Sequence, residues 1–187
     1  MYPRVRRVVL THFHPDHIAG IGDVAASVPI RRVIDRGSPG YEYLPPTGNA
    51  VFQAYRAFLA DSKVPAETAR AGSATQIADR AGAAHRAEVR VVAVNDRVWT
   101  GKGDEARVRF PALETIADPA DRPTENMCSV ALQVSYGAFD YFTGGDMPGY
   151  PVPGGPAWHD LESDVARAIG ETGARQDGHH GSIEVEN

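Results

Sequence analysis

A valine-rich run that leads into a cluster of histidines places the strongest constraint on how this chain folds. Residues 5–17 read VRRVVLTHFHPDH, and the valines near its start predict a short strand. In extended backbone, His12 and His14 point to one side and Phe13 points to the other. Pro15 disfavours helical backbone at the residue before it and is well tolerated in a first helical turn. The pattern therefore predicts a strand, a turn rich in histidine and then a helix.

Four side chains of this turn are common metal ligands. His12 and His14 lie at the end of the predicted strand. Asp16 and His17 fall on the first helical turn, from which they can reach a second metal nearby. Imidazole and carboxylate groups are donors that suit zinc, iron or manganese. Four side chains this close together cannot fill two coordination spheres, so further ligands must come from distant parts of the chain.

The length and composition are typical of one α/β domain. The chain has 187 residues, of which 42% are hydrophobic and 23% are charged. A domain of this size buries enough apolar surface to need no disulfide, and the single cysteine, Cys128, excludes an internal one. We interpret Cys128 as a small buried or half-buried hydrophobic residue. No break in composition divides the chain, so a single domain over residues 1–187 is expected.

Strands and helices alternate along the sequence without an internal repeat. The aromatic and aliphatic residues of 50–61 recur at helical spacing, which predicts an amphipathic helix with its apolar side in the core. Asn95-Asp96 and Gly137-Ala138 each separate two strand-like segments, which predicts two hairpins. Further helices are predicted at 18–27 and 158–170 and a strand at 28–34, whereas 63–88 gives no firm prediction.

The charge distribution does not indicate a nucleic-acid surface. The net charge is −5 and the isoelectric point is near 5.8. An arginine group in the first forty residues is interpreted as a solvated face; its members are Arg4, Arg6, Arg7, Arg31, Arg32 and Arg36. No apolar run reaches the roughly eighteen residues of a membrane span. The cytoplasm is the default expectation, since any export signal would lie upstream, and the oligomeric state is left open.

Three separated motifs contain the candidate ligands: THFHPDHIAG at 11–20, FTGGD at 142–146 and DGHHGS at 177–182. Together they resemble the metallo-β-lactamase superfamily of binuclear metallohydrolases. The second motif resembles the strand end that supplies a bridging aspartate, and the third resembles the string that supplies the last histidine. The combination is most similar to the branch containing the hydrolase domain of DNA-uptake competence proteins. The resemblance spans residues 5–182.

The resemblance implies a fold and a set of metal ligands. The fold would be a four-layer αββα sandwich that lacks some N-terminal strands, because family members place several strands before the first motif. The chain would then be a fragment incomplete at both ends, or a gene model with a late start. The implied ligands are His12 and His14 for the first metal, Asp16, His17 and His180 for the second, and Asp146 between the two.

The resemblance also implies roles in catalysis for Asp16 and for one histidine of the third motif. His180 precedes a glycine, as the ligand histidine of the family does, so His180 would bind the second metal. His179 would then face the substrate as a hydrogen-bond donor or general acid. The exchanged assignment, with His179 as the ligand, stays open. Asp16 would accept the proton of the nucleophile.

The sequence departs from the family pattern where the first metal site should be completed. Many members carry a histidine four residues before a Ser-x-x-Leu strand, and here Glu125 occupies that position before Ser129–Leu132. Glu125 could ligate through its carboxylate, Asn126 could bind substrate, or water could fill the gap. Either side chain could instead lie in a solvent-facing loop. An enzyme with one metal is therefore an alternative to one with two.

The function implied by the resemblance is that of a metal-dependent hydrolase whose nucleophile is a metal-bound hydroxide. Two divalent cations are expected, with zinc first and manganese or iron as alternatives. Phosphoesters or phosphodiesters are the expected substrates, so the partner would be a small molecule or a nucleotide-type compound; nucleic acid stays open as a partner, although the charge does not indicate it. The alternatives are hydrolysis of an amide, lactone or thioester at the same site, and a non-catalytic metal-binding fragment.

Overall fold

The computed structural model describes residues 7–38, 48–77, 87–149, 155–170 and 174–176, and these form a mixed α/β fold. The strands are β1 (Val8–Val9), β2 (Val33–Asp35), β3 (Ala66–Thr68), β4 (Glu88–Val94), β5 (Arg97–Trp99), β6 (Ala106–Val108), β7 (Ala131–Tyr136), β8 (Phe139–Thr143) and β9 (Ala174–Gln176). The helices are α1 (Pro15–Ile18), α2 (Ile21–Ser27), α3 (Ala50–Ser62) and α4 (Leu161–Ile169). In this part of the chain no helix is both long and apolar enough to cross a membrane.

A small parallel sheet supports the histidine-rich turn. Its strand order is β1-β2-β3. A hydrogen bond from Leu10 N to Ile34 O, 2.9 Å long, extends the pairing with β2 one residue beyond the end of β1. Asn49 caps the start of helix α3, and its side chain accepts hydrogen bonds from the backbone N–H groups of Val51 and Phe52. The apolar side of this helix packs with Phe13 and Val33, as the spacing of its aromatic residues predicts. Phe13 is therefore fixed in the core while its neighbours face away from it.

The second sheet contains both predicted hairpins. Its order is β6-β5-β4-β7-β8-β9, antiparallel except for the parallel pair β8 and β9. The register of β4 against β7 shifts between Val91 and Ala93, which indicates a bulge. As a result Val92 and Ala93 both pack in the cluster that includes α4, whereas Val91 packs with Ile34 of the first sheet. The two sheets thus share buried apolar residues.

A hydrogen bond joins the two sheets beside the histidine-rich turn. Val130 N, just before β7, donates to Thr11 O, just after β1, at 2.8 Å. Strands β7 and β8 form a hairpin in which Leu132 pairs with Thr143. The end of β8 therefore lies close to the end of β1, which brings the second motif to the first.

Several predicted boundaries differ from the structure. The helix predicted at 18–27 is two helices, because the chain turns at Ala19-Gly20 and α2 begins after Gly20. The strand predicted at 28–34 is β2, which begins only at Val33 and pairs there with Val8. The helix predicted at 158–170 begins at Leu161, since Asp160 accepts a hydrogen bond from Ser163 N and caps it.

One member of the arginine group is not solvated. Arg36 is 1% exposed, so its assignment to a solvated face is wrong. Its guanidinium forms an ion pair with Glu125 across the two sheets, and this pairing is what allows burial of the charge. Arg4 and Arg6 lie outside the described residues.

The burial of Cys128 leads to a first testable expectation. The residue is 4% exposed, as its interpretation as a small hydrophobic residue requires, and burial raises the pKa of its thiol to about 12. At pH 8 we expect Ellman's reagent to modify the native chain at least about 100-fold more slowly than the chain unfolded in guanidinium, because only the thiolate reacts. Equal rates for the two states would contradict this expectation.

Candidate metal centre

His12, His17 and Asp146 come together from three elements of the fold. His12 follows β1, His17 lies on α1, and Asp146 follows β8. One ligand atom from each of the three lies within 4.8 Å of the other two. Two ligands of one tetrahedral zinc ion lie about 3.4 Å apart, given bond lengths near 2.1 Å. The donor set and its spacing therefore fit a divalent cation with small movements of the side chains.

The two carboxylate oxygens of Asp146 face different histidines. Its Oδ1 lies 3.2 Å from His17 Nε2, and its Oδ2 lies 3.9 Å from His12 Nε2. His14 Nδ1 lies 3.1 Å from His12 Nε2, and Asp16 Oδ2 lies 3.5 Å from His17 Nε2. The structure thus brings together five of the residues that the sequence singles out, with Asp146 between two pairs.

The electrostatics of the centre favour neutral imidazole at its buried end. His12 is fully buried, and its pKa falls to about 3, first because of burial and then because of repulsion from His17 and His14. A neutral ring keeps a lone pair for a metal at neutral pH. Asp16 is exposed at the other end, and a hydrogen bond from its own backbone N–H lowers the pKa of its carboxyl. The centre therefore has a buried end at His12, here called its floor, and a solvent-exposed end at Asp16, here called its mouth.

Thr11 lies beneath two of the rings, a contact that the sequence did not indicate. Its Oγ1 lies 3.1 Å from His12 Nδ1 and 3.2 Å from His17 Nδ1. Two ring N–H groups donating to this hydroxyl would leave both Nε2 lone pairs directed at Asp146. The only signal in the sequence was the position of Thr11 directly before the first histidine, which says nothing about His17.

Gly145 permits the close approach that places Asp146. Its φ is +60°, and a Cβ added there would lie 2.8 Å from Thr11 Cβ and 3.2 Å from Ser129 Cβ. Real Cβ atoms essentially never approach as closely as the first of these distances. The loop before Asp146 therefore packs directly against the floor of the centre.

Gly145→Ala should weaken both the fold and metal binding. We expect a loss of about 1–2 kcal/mol from the left-handed backbone and at least about a tenfold loss of zinc affinity from the displaced loop. Gly137→Ala is the matched control, since Gly137 has φ +62° and nothing within 4 Å of an added Cβ. Urea unfolding and competition with a chromophoric chelator measure the two effects. Equal zinc affinity in both variants would contradict the role assigned to Gly145.

Glu125 does not lie in a solvent-facing loop. Its carboxylate accepts hydrogen bonds from Phe13 N at 2.7 Å, from Arg36 Nε at 2.7 Å and from Arg36 Nη2 at 2.6 Å. Asn126 is half-buried, and its Oδ1 is buried without a hydrogen-bond partner among the residues that the structure describes. The position where the first metal site was expected to be completed is therefore occupied by an ion pair.

The third motif lies outside the described residues, so His179 and His180 stay predictions. The strand before it was not expected from GARQDG, yet β9 pairs in parallel with β8, with Thr143 opposite Gln176. Backbone pairing with a neighbouring strand overrides the weak apolar pattern of this segment.

Comparison with known proteins gives one match to a family. The model described as the metallo-beta-lactamase superfamily matches residues 3–124, which include the histidine-rich turn. Asp146 lies beyond the matched range, and its place in the centre comes from the structure. A search of curated proteins finds no match.

Proposed function

The chain belongs to the metallo-beta-lactamase superfamily, and on that premise we propose that it is a metal-dependent hydrolase. The observation that carries the proposal is the convergence of His12, His17 and Asp146, whose ligand atoms lie within 4.8 Å of one another. Away from water, the lone pairs of this carboxylate and of these imidazoles need a shared cation or shared protons as partners. A metal site accounts for the arrangement.

The ligands divide into two sets around Asp146. His12 and His14 would hold one metal, and the short separation of their ring nitrogens, 3.1 Å, supports this. His17 and Asp16 would hold the other, supported by the 3.5 Å between their closest atoms. Asp146 directs one oxygen to each set, as a bridging carboxylate does.

A histidine of the third motif would complete the second set. Strands β8 and β9 are parallel, so their carboxyl ends meet at the same edge of the sheet. Asp146 follows β8 from that edge, and His179 and His180 follow β9 within four residues. We assign the ligand role to His180 and the substrate-facing role to His179.

Zinc is the cation that this donor set favours, and two ions are proposed. Three imidazoles with carboxylates are typical of zinc sites, whereas manganese and iron accept the same donors with more oxygen ligands. Divalent zinc, when bound, supplies a Lewis acid and lowers the pKa of a coordinated water toward 7. Manganese- and iron-loaded protein are therefore the comparisons for a zinc-loaded preparation.

The residues of the chain have separate tasks in the reaction. Thr11 orients the rings of His12 and His17, and Asp146 offsets the charge of the cations. Asp16 is exposed and ionised near neutral pH, so it can accept a proton from the attacking water. His179 would donate a proton to the leaving group. Water is excluded from the floor, where His12 is fully buried, and admitted at the mouth.

Phosphoesters, including phosphodiesters of the nucleotide type, are the proposed substrates. The support is the likeness in sequence of the second and third motifs to the branch with the competence-protein hydrolase domain. Amide, lactone and thioester hydrolysis at the same centre is the alternative. The acidic net charge of −5 favours a small substrate over long nucleic acid.

Three chromogenic substrates separate these classes. Zinc-loaded chain is assayed with bis-p-nitrophenyl phosphate, with nitrocefin and with a thioester, beside its Asp146→Asn variant. We expect turnover of the phosphodiester that the variant lacks. Turnover of nitrocefin alone would overturn the substrate class. Less than one metal per chain by plasma emission spectroscopy, with no activity, would favour a non-catalytic protein.

A four-layer αββα arrangement in a single domain is proposed for the fold. Its support is the alternation of apolar clusters: Val33 packs with α3, Ile34 packs with Val91 between the sheets, and Val92 packs with α4. Such alternation is typical of two sheets packed face to face with helices outside.

A further inference from the structure

The Glu125 carboxylate binds the backbone between two candidate ligands. Its Oε1 accepts from Phe13 N at 2.7 Å, and Phe13 lies directly between His12 and His14. The same oxygen accepts from Arg36 Nε, and its Oε2 accepts from Arg36 Nη2. A carboxylate held on both oxygens by one guanidinium is oriented in plane and in distance. Glu125 thereby fixes the position of the backbone segment that carries both histidines.

Arg36 reinforces this contact from the other side of Phe13. Its guanidinium carbon lies 4.6 Å from the centre of the Phe13 ring, which is 1% exposed. The backbone oxygen of Arg36 accepts from Asn95 Nδ2 at 2.8 Å, which ties it to the second sheet. Both the ring and the N–H of Phe13 are therefore held by one ion pair.

The geometry points to Glu125 as a positioning residue for the histidine-rich turn, held by Arg36 in a place from which it does not ligate a metal. Ligation would require the carboxylate to leave an arginine side chain that is only 2% exposed, and an unpaired buried charge is strongly disfavoured. The inference rests on the proposed metal-binding function and deepens it. The first metal would be held by His12, His14 and Asp146 without a third histidine.

The test compares three variants of the full chain: Glu125→Gln, Arg36→Met and the double variant. The glutamine side chain would keep an acceptor for Phe13 N but present an amide to the guanidinium, so the orientation is lost, as it is without Arg36. We expect zinc affinity, measured by competition with a chelator, to fall about 10–100-fold in both single variants. The zinc affinity of the double variant should be no lower than that of the single variant with the lower affinity, because each change breaks the same contact. The visible spectrum of the cobalt-loaded variants should indicate the same coordination number as that of the wild type.

Arg90→Met is the matched control. Arg90 also stacks on an aromatic ring, at 4.5 Å from the centre of Trp99, and donates to Gly72 O and Gly103 O at 2.7 Å. Its loss removes a comparable stacked arginine far along the chain from the histidines. Zinc affinity should stay within about twofold of the wild-type value. A fall equal to that of Arg36→Met would mean that general loss of stability explains the result, which would overturn the inference.

A ligand role for Glu125 predicts a different pattern. Arg36→Met would then free the carboxylate and leave zinc affinity unchanged or higher, while Glu125→Gln would lower it and change the cobalt spectrum. That pattern overturns the inference and leaves the proposed function intact.

Hydrogen exchange of the metal-free chain separates the inference from the proposed function. The Phe13 amide should exchange at least about tenfold faster in both single variants than in the wild type, and at the wild-type rate in Arg90→Met. A wild-type chain that binds no metal would overturn the proposed function. Unchanged exchange of Phe13 in both variants would overturn the inference whether or not metal binds.

Discussion

Asp146→Asn is expected to lower the rate of phosphodiester hydrolysis about 1,000-fold or more and to reduce the bound metal. Asp146 directs Oδ1 to His17 and Oδ2 to His12, so it is the group shared by the two proposed ligand sets. Asparagine has nearly the same shape but offers one neutral oxygen. A loss of about 4 kcal/mol of transition-state stabilisation corresponds to this factor.

The same change elsewhere on the strand controls for this effect. Asp140 lies on β8, three residues before its end, and its carboxylate accepts a hydrogen bond from Ser135 Oγ. Asp140→Asn should leave both metal content and rate within about twofold of the wild type. Metal content is measured by plasma emission spectroscopy and the rate with bis-p-nitrophenyl phosphate. If the two variants behaved alike, Asp146 would not be a ligand.

Phe13→Ala is expected to lower the free energy of unfolding by about 3–5 kcal/mol, as for other buried phenylalanines. The ring is 1% exposed and packs against Phe52, with 4.9 Å between ring centres. Truncation would leave a cavity under the histidine-rich turn and expose the guanidinium of Arg36 to it. Since small domains have a free energy of unfolding of about 5–15 kcal/mol, the variant would lose a large share of its stability.

Phe139→Ala provides the comparison, since it deletes the same atoms at a position that is 51% exposed. Its cost should be within about 0.5 kcal/mol. Both are measured by urea unfolding with a chelator present, so that metal binding does not contribute. A similar midpoint for the two variants would show that Phe13 does not anchor the turn.

Local patterns predicted the parts of the structure that depend on near neighbours. The hairpin at Asn95-Asp96 follows from a turn between two apolar segments, and Asn95 adopts a left-handed φ of 51° there. The helix at 50–61 follows from its periodicity and extends by one residue to Ser62. The break at Ala19-Gly20 was missed because the apolar pattern continues across it and the backbone decides the turn.

The candidate metal centre likewise combines a residue that the sequence predicted with a contact that it did not. Asp146 was found through a motif, because its family places an aspartate after a strand of this kind, and the structure brings it to the histidines. The pairing of Glu125 with Arg36 was not predicted, and both alternatives considered for Glu125, ligand or solvent-facing loop, omit it. The two residues are 89 positions apart, and no periodicity connects positions so distant.

The amino-acid sequence by itself determined that His12, His14, Asp16 and His17 form one group on a strand-to-helix turn, because six consecutive positions with a proline restrict the backbone locally. Tertiary structure alone decided what surrounds that group: Thr11 beneath two rings, Asp146 between the pairs, and Glu125 bound to Arg36. The contacts of Asp146 and Glu125 join segments that belong to the two different sheets. Their geometry depends on how the sheets pack, through buried residues such as Ile34 and Val91, and no local stretch of sequence specifies that packing.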